Sequence, residues 1–128
     1  MTTTVALEIE CEFTGTCSNP ALPGWHYAHH VHGITVRAVL ELHPSPDHTE
    51  HDLDLKRAEF GTALQTWADR FLNRQDLNGV MRIENMSLER MAGWIFKRWA
   101  QHYLDLAAVR VQDSQDRSVW VTCRPTEA

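Results

Sequence analysis

The sequence predicts an α+β domain: an antiparallel four-stranded sheet with two helices on one face, in the order ββααββ. Three observations lead to it. Val5, Leu7, Ile9, Cys11 and Phe13 alternate with Ala6, Glu8, Glu10 and Glu12, and a second alternating stretch runs from about His30 to Leu42. The middle of the chain changes to a helical period, and strand-like alternation returns near its C-terminal end. Strands grouped at the two ends, with helices between them, suit a sheet that carries both helices on a single face. At 128 residues the chain is one domain, long enough to bury a core.

The elements follow in order. The first strand has one apolar face and one acidic face, and the acidic one reads as solvated surface. Residues 14–29 carry Gly15, Asn19, Pro20, Pro23 and Gly24 and read as a loop. The second strand puts Ile34, Val36, Ala38, Leu40 and Leu42 on the face that also carries His30 and His32. Pro44-Ser45-Pro46-Asp47 ends it. From Leu53 to Leu72, Phe60, Leu64, Trp67 and Phe71 recur at helical spacing, with Arg57, Glu59 and Asp69 off that stripe. Asn78-Gly79 marks a turn. Ser87 is an N-cap for a second helix with Leu88, Ala92, Ile95 and Trp99 on one face. Two strands, Ala107–Ser114 and Ser118–Cys123, close the chain around the polar turn Gln115-Asp116-Arg117.

Composition narrows the function. The chain is 43% hydrophobic, with 12 basic and 17 acidic residues and a net charge of −5, and it has no basic block. A nucleic-acid partner is therefore not expected. Cys11, Cys17 and Cys123 are an odd number of cysteines without a CxxC pair, which fits reduced thiols in the cytoplasm better than a disulfide scaffold. Met1-Thr2-Thr3-Thr4 is not the start of a signal peptide, and no apolar run approaches membrane-spanning length.

The strongest chemical signal is the run Trp25-His26-Tyr27-Ala28-His29-His30-Val31-His32-Gly33. The period of two places His30 and His32 on one strand face, where two imidazoles can share a metal ion, with zinc the usual partner of nitrogen ligands.

His30-Val31-His32-Gly33-Ile34-Thr35-Val36 resembles the HGHNYxV segment of the 6-pyruvoyl-tetrahydropterin and 6-carboxytetrahydropterin synthase family. Leu72-Asn73-Arg74-Gln75-Asp76-Leu77-Asn78 stands where that family has LDHxxLN. Met86-Ser87-Leu88-Glu89-Arg90-Met91-Ala92-Gly93-Trp94-Ile95 resembles PTxENLAxWI, and Val109-Arg110-Val111-Gln112-Asp113-Ser114 resembles VxVxET. The resemblance spans roughly Ile9 to Val121. It implies the tunnelling fold: two-helix, four-stranded subunits that assemble into barrels, with sites at subunit interfaces. A homo-oligomer, hexamer or tetramer, is the expected assembly, and a small-molecule pterin the expected substrate.

The resemblance also implies roles for single residues. His30 and His32 match zinc ligands, and Cys17 stands where the family has its third zinc histidine, in FxAAH; thiolate is itself a good zinc ligand, and His26 and His29 are the other candidates for that third place. The family's catalytic cysteine has no counterpart, and His26 falls near its place. The Asp-His pair of LDH reads Asn73-Arg74 here, and neither side chain is a general base near neutral pH. His26 and His29 are thus the candidate proton-transfer residues. Asp113, with Ser114 beside it, matches the glutamate that anchors the pterin ring. Glu89 matches the family's helix-start glutamate, although an acidic residue there also favours the helix dipole. Arg74 cannot accept a proton but can hold a phosphate or carboxylate of the substrate. Two functions follow as expectations: a zinc-dependent lyase acting on a dihydroneopterin-type substrate with rearranged proton-transfer residues, or a tunnelling-fold protein that binds a pterin or purine-like ligand without the synthase reaction.

Overall fold

The computed structural model describes residues 4–23, 31–43 and 50–122. Two long strands, β1 (Val5–Thr16) and β2 (Val31–Leu42), pair antiparallel along their whole length, from Val5 opposite Leu42 to Thr16 opposite Val31. Helix α1 (Glu50–Phe71) follows, then a two-residue strand β3 (Gln75–Asp76), a one-turn helix α2 (Leu77–Met81) and helix α3 (Leu88–Ala100). A hairpin of β4 (Leu106–Gln112) and β5 (Ser118–Thr122) completes the chain. The strand order is β3-β1-β2-β4-β5.

The α+β class with antiparallel long strands is as the sequence implies, but the sheet has five strands and is mixed, because β3 runs parallel to β1 at Gly15 and Thr16. Tertiary context creates β3, which is too short to carry a hydrophobic period. The expected turn at Asn78-Gly79 lies inside α2, where Arg82 ends the helix in a left-handed conformation with φ 56°. First-strand pairing continues to Thr16, so residues 14–16 belong to the sheet rather than to a loop.

Alternation explains the core. Leu7, Ile9, Cys11 and Phe13 of β1 lie beside Leu40, Ala38, Val36 and Ile34 of β2, and Val109 and Val111 of β4 continue the same face. All are buried, and both long helices cover that face. In α1 the buried stripe is Phe60, Leu64 and Ala68, with Trp67 partly buried beside it. Phe71, expected on the stripe, is 54% exposed, and the helix hands its core position to Leu72 in the following turn. The α3 stripe is Met91, Ala92, Ile95 and Trp99, with Leu88 packed against it. Ser87 caps α3 as its type suggests: its side chain accepts a hydrogen bond from the Arg90 amide at 3.2 Å, a contact worth about 1 kcal/mol.

The chain shields one end of the β1 edge itself. Gln65 of α1 imitates a neighbouring strand: its Oε1 accepts from the Glu12 amide at 3.1 Å and its Nε2 donates to the Glu12 carbonyl at 3.0 Å. Asn73 and Arg74 do the same for Thr14, whose amide donates to Asn73 Oδ1 at 3.0 Å and whose carbonyl accepts from the Arg74 amide at 2.6 Å. Such satisfaction of an exposed edge blunts unwanted strand pairing. No helix among the described residues is long and apolar enough to cross a membrane.

Candidate functional site

A cavity of about 280 Å³ opens at the end of the sheet where β2 begins. Four separate segments converge on it: Cys17 just past β1, His32 on β2, Glu89 in the first turn of α3, and Asp113 at the end of β4. Ile34, Leu88, Met91 and Val119 supply apolar walls. The antiparallel register explains the meeting of Cys17 and His32. His32 lies opposite Gly15, two residues before Cys17, so the chain leaves the sheet at the place where the His32 ring turns inward. His32 is 5% exposed and Cys17 8%.

The segment that carries Cys17 is held from a distance. The Ser18 amide donates to Asn78 Oδ1 at 2.8 Å, and Asn78 Nδ2 lies 2.8 Å from the Ser18 carbonyl. The same Nδ2 is 2.9 Å from the carbonyls of both Ile83 and Glu84. The Met86 amide donates to the Ser18 carbonyl at 3.1 Å, and Asn19 Nδ2 to the Met86 carbonyl at 3.2 Å. Asn78 thus ties α2, the run into α3 and the Cys17 segment together. Its type signalled only a turn, and nothing in the local sequence indicated this long-range role.

Burial, with a smaller contribution from the Asp76 carboxylate, pushes the Cys17 thiol up to about 11. At neutral pH it is a neutral thiol unless a cation sits beside it, since a bound metal ion favours the thiolate. Sulfur and imidazole nitrogen are the donor types zinc prefers, so this pair fits that ion in kind. Among the described residues no group of three metal donors is assembled. His26, His29 and His30, the other candidate ligands and bases, lie outside the described residues.

Asp113 is buried, and its position differs from the expected strand in an informative way. The strand ends at Gln112 because the Asp113 side chain folds back on the hairpin. Its Oδ1 accepts from the amides of Gln115 at 2.9 Å and Arg117 at 3.0 Å, while its own amide donates to the Arg117 carbonyl at 2.9 Å. This is the side-chain-to-backbone turn that aspartate forms readily, and Asp116 completes the loop at φ 61°. Ser114 is exposed and faces a different, open depression on the other side of Asp113, shared with Glu12, Thr14 and Asn73. Arg74 is exposed, adopts φ 63°, and lines neither hollow. The cation the sequence reading missed is Arg117, which lines the Asp113 cavity directly.

The model of a family described as 6-pyruvoyl tetrahydropterin synthase matches residues 8–125. Among solved structures, that of Caenorhabditis elegans 6-pyruvoyl tetrahydropterin synthase superposes with a TM-score of 0.69 at 13% sequence identity, covering 96% of this chain and 98% of the nematode one. At that identity the superposition speaks for the fold alone. No protein of curated function matches the sequence. With the family model spanning almost every residue from β1 to β5, the chain belongs to the 6-pyruvoyl tetrahydropterin synthase family.

Proposed function

We propose that the cavity binds a reduced pterin beside a zinc ion and that the protein is a lyase acting on a dihydroneopterin-type substrate. The observation that carries this reading is the convergence of Cys17, His32, Glu89 and Asp113 on one partly apolar hollow. Cys17, His30 and His32 would hold the metal, with His26 or His29 the substitute if Cys17 does not. Bound zinc supplies Lewis-acid polarisation of the hydroxyls on the pterin side chain.

The remaining work falls to the chain. Asp113 accepts the amino and ring N–H edge of the pterin through charge-assisted hydrogen bonds. Because two hairpin amides grip Oδ1, the carboxylate is oriented before the ligand arrives, and orientation fixed in advance lowers the cost of binding. Glu89 offers a second carboxylate at the cavity wall. His26 and His29 are the proton carriers, since an imidazole both takes and gives a proton near neutral pH. Ser114 and Arg74 serve only if a neighbouring subunit brings them to the ligand. For that, subunits must meet: the outer edge of β5 and the β1 edge below Glu12 have no strand partner among the described residues. Edges of this kind favour pairing, here into a homo-oligomer with shared sites.

A second reading has one specific observation in its favour. Asn73, which stands at the family's proton-transfer aspartate, spends its side-chain oxygen on the Thr14 amide. A protein that binds a pterin or purine-like heterocycle without the synthase reaction would need nothing more at that position.

Three measurements test the proposal. Elemental analysis should find about one zinc per chain, depleted by Cys17→Ala, His30→Ala and His32→Ala; full metal in all three variants would overturn the site. Turnover of dihydroneopterin triphosphate, followed by product fluorescence after oxidation, should fall in His26→Ala or His29→Ala. Pterin binding with no turnover in the wild type would favour the second reading. Light scattering should show an oligomer, and a monomer at micromolar concentration would remove the shared-site element.

A further inference from the structure

The β4–β5 hairpin carries its ladder one pair past the regular strands. Gln112 lies opposite Ser118, and beyond them the Asp113 amide donates to the Arg117 carbonyl at 2.9 Å. Opposed residues of an antiparallel pair send their side chains to the same face of the sheet. The residues behind them fix which face that is: Val109 and Val111 are buried on β4, and Val119 and Val121 are half-buried on β5. Asp113 and Arg117 therefore both leave the hairpin on the side of the Cys17 and His32 cavity, and both line it. Arg117 is exposed at the rim, and it is the only lysine or arginine among the described residues that line this cavity.

Asp113 can read only part of a pterin. The amides of Gln115 and Arg117 both fall on its Oδ1, at 2.9 and 3.0 Å, which fills the two acceptor places of that oxygen. Oδ2 is left to accept N–H groups, and an ionised carboxylate donates nothing. A pterin presents three groups along its recognition edge: the 2-amino donor, the ring N–H donor and the 4-oxo acceptor. Asp113 serves the first two. The 4-oxo oxygen and ring N5 form an acceptor pair on the adjoining side, spaced like O6 and N7 of guanine, and the planar guanidinium fork fits such a pair.

We propose that Arg117 is a specificity-determining residue that donates to the ring carbonyl and N5 of the pterin while Asp113 accepts its amino and ring N–H donors. The assignment rests on the pterin reading of this cavity and adds what that reading leaves open, the recognition of the 4-oxo side. The pair selects 2-amino-4-oxo rings over 2,4-diamino rings, whose 4-amino group turns a donor towards a cation. The main chain holds the two recognition groups as one unit, because the Arg117 amide and carbonyl are both bonded to Asp113. Their backbones are thus in register before a ligand arrives.

The test is calorimetric titration of the full chain, near neutral pH, with pterin and with 2,4-diaminopteridine. Arg117→Met keeps the turn, because only main-chain atoms of Arg117 make the bonds to Asp113. It should weaken pterin about tenfold or more, the scale of one bidentate base contact, and 2,4-diaminopteridine by less than about twofold. Arg117→Lys, which keeps a donor but loses the fork, should bind pterin with an affinity between those of wild type and Arg117→Met. An Arg117 that only neutralised Asp113 and Glu89 would change both affinities alike on removal. An equal change for the two rings, or an unchanged pterin affinity in Arg117→Met, would overturn the inference and leave the pterin reading standing, provided Asp113→Asn still weakens pterin. A wild type that binds neither ring would overturn both.

Discussion

Asn78 offers the sharpest test of how the site is held. It accepts the Ser18 amide at 2.8 Å, and its Nδ2 faces the carbonyls of Ser18, Ile83 and Glu84 at 2.8, 2.9 and 2.9 Å. Asn78→Ala removes all of these at once. At about 1 kcal/mol net per hydrogen bond the ceiling is about 4 kcal/mol. The figure must come down, because two N–H protons are shared among three carbonyls and the Glu84 contact is exposed enough to regain water. We expect a loss of about 2–3 kcal/mol, which for a chain of this length lowers Tm by about 6–12 °C. Urea denaturation followed by far-ultraviolet circular dichroism should show a lower midpoint with an unchanged slope. Asn78→Asp sharpens the test: it keeps an acceptor for the Ser18 amide but turns a carboxylate oxygen towards three carbonyls, so it should be no better than alanine. Asn73→Ala, which breaks a single bond to Thr14, should cost only about 1 kcal/mol. A loss under about 0.5 kcal/mol for Asn78→Ala, the size of an ordinary surface substitution, or near-native stability of Asn78→Asp, would refute the assigned role.

Other outcomes follow from the same structure. Gly15→Ala would bring a Cβ to within 2.7–3.0 Å of Leu77 Cγ, Cδ1 and Cδ2, and since Leu77 is fully buried it has nowhere to go; urea unfolding should show a loss of about 1–3 kcal/mol. Burial, then the Asp69 and Glu12 carboxylates, push the Cys11 thiol up to about 12, from 9.0 in the ordinary thiol. The folded state therefore keeps a proton that the unfolded chain loses, so the contribution of Cys11 to stability is constant well below pH 9 and is lost as pH rises towards 12. By pH 10.5 the cumulative loss from this group should approach about 2 kcal/mol, and Cys11→Ala should flatten that slope in urea titrations at fixed ionic strength; an identical slope would contradict it. Asp113→Asn should keep the hairpin, because an amide oxygen can accept the same two backbone N–H groups, yet weaken dihydropterin binding by about 2–5 kcal/mol through loss of charge. Asp113→Glu matches the family's residue but places its carboxylate one methylene beyond the Gln115 and Arg117 amides, so hydrogen exchange of those two amides should speed up; unchanged exchange would argue against the turn assignment.

What the sequence determined by itself is whatever a local period or a local cap can carry. The alternation in β1 and β2 set which side chains face the core, and it put His32 on the inward face before any partner strand was known. Phe60 and Leu64 reported one helix face, Ala92, Ile95 and Trp99 the other, and Ser87 announced the start of α3. The motif resemblance assigned the family because those motifs fall on these same elements in order. Tertiary structure alone decided the rest. A two-residue strand has no period to read, so β3 appears only when α1 carries the chain back to Gly15 and Thr16. Phe71 has the right spacing for the core but is exposed, because the buried row runs Phe60, Leu64, Ala68 and on to Leu72. Asp113 looked like a strand residue, and it leaves the strand because its own side chain makes a better turn partner than the ladder. Asn78 and Ser18 are 60 residues apart, and the stacked Trp67 and Trp94 rings join α1 to α3; neither nearness leaves any trace in a window of neighbouring residues. Local physics fixes which way a side chain points. Which distant groups it meets depends on chain paths that close only in the folded molecule, and for that reason the site's composition was partly legible in the sequence while its wiring was not.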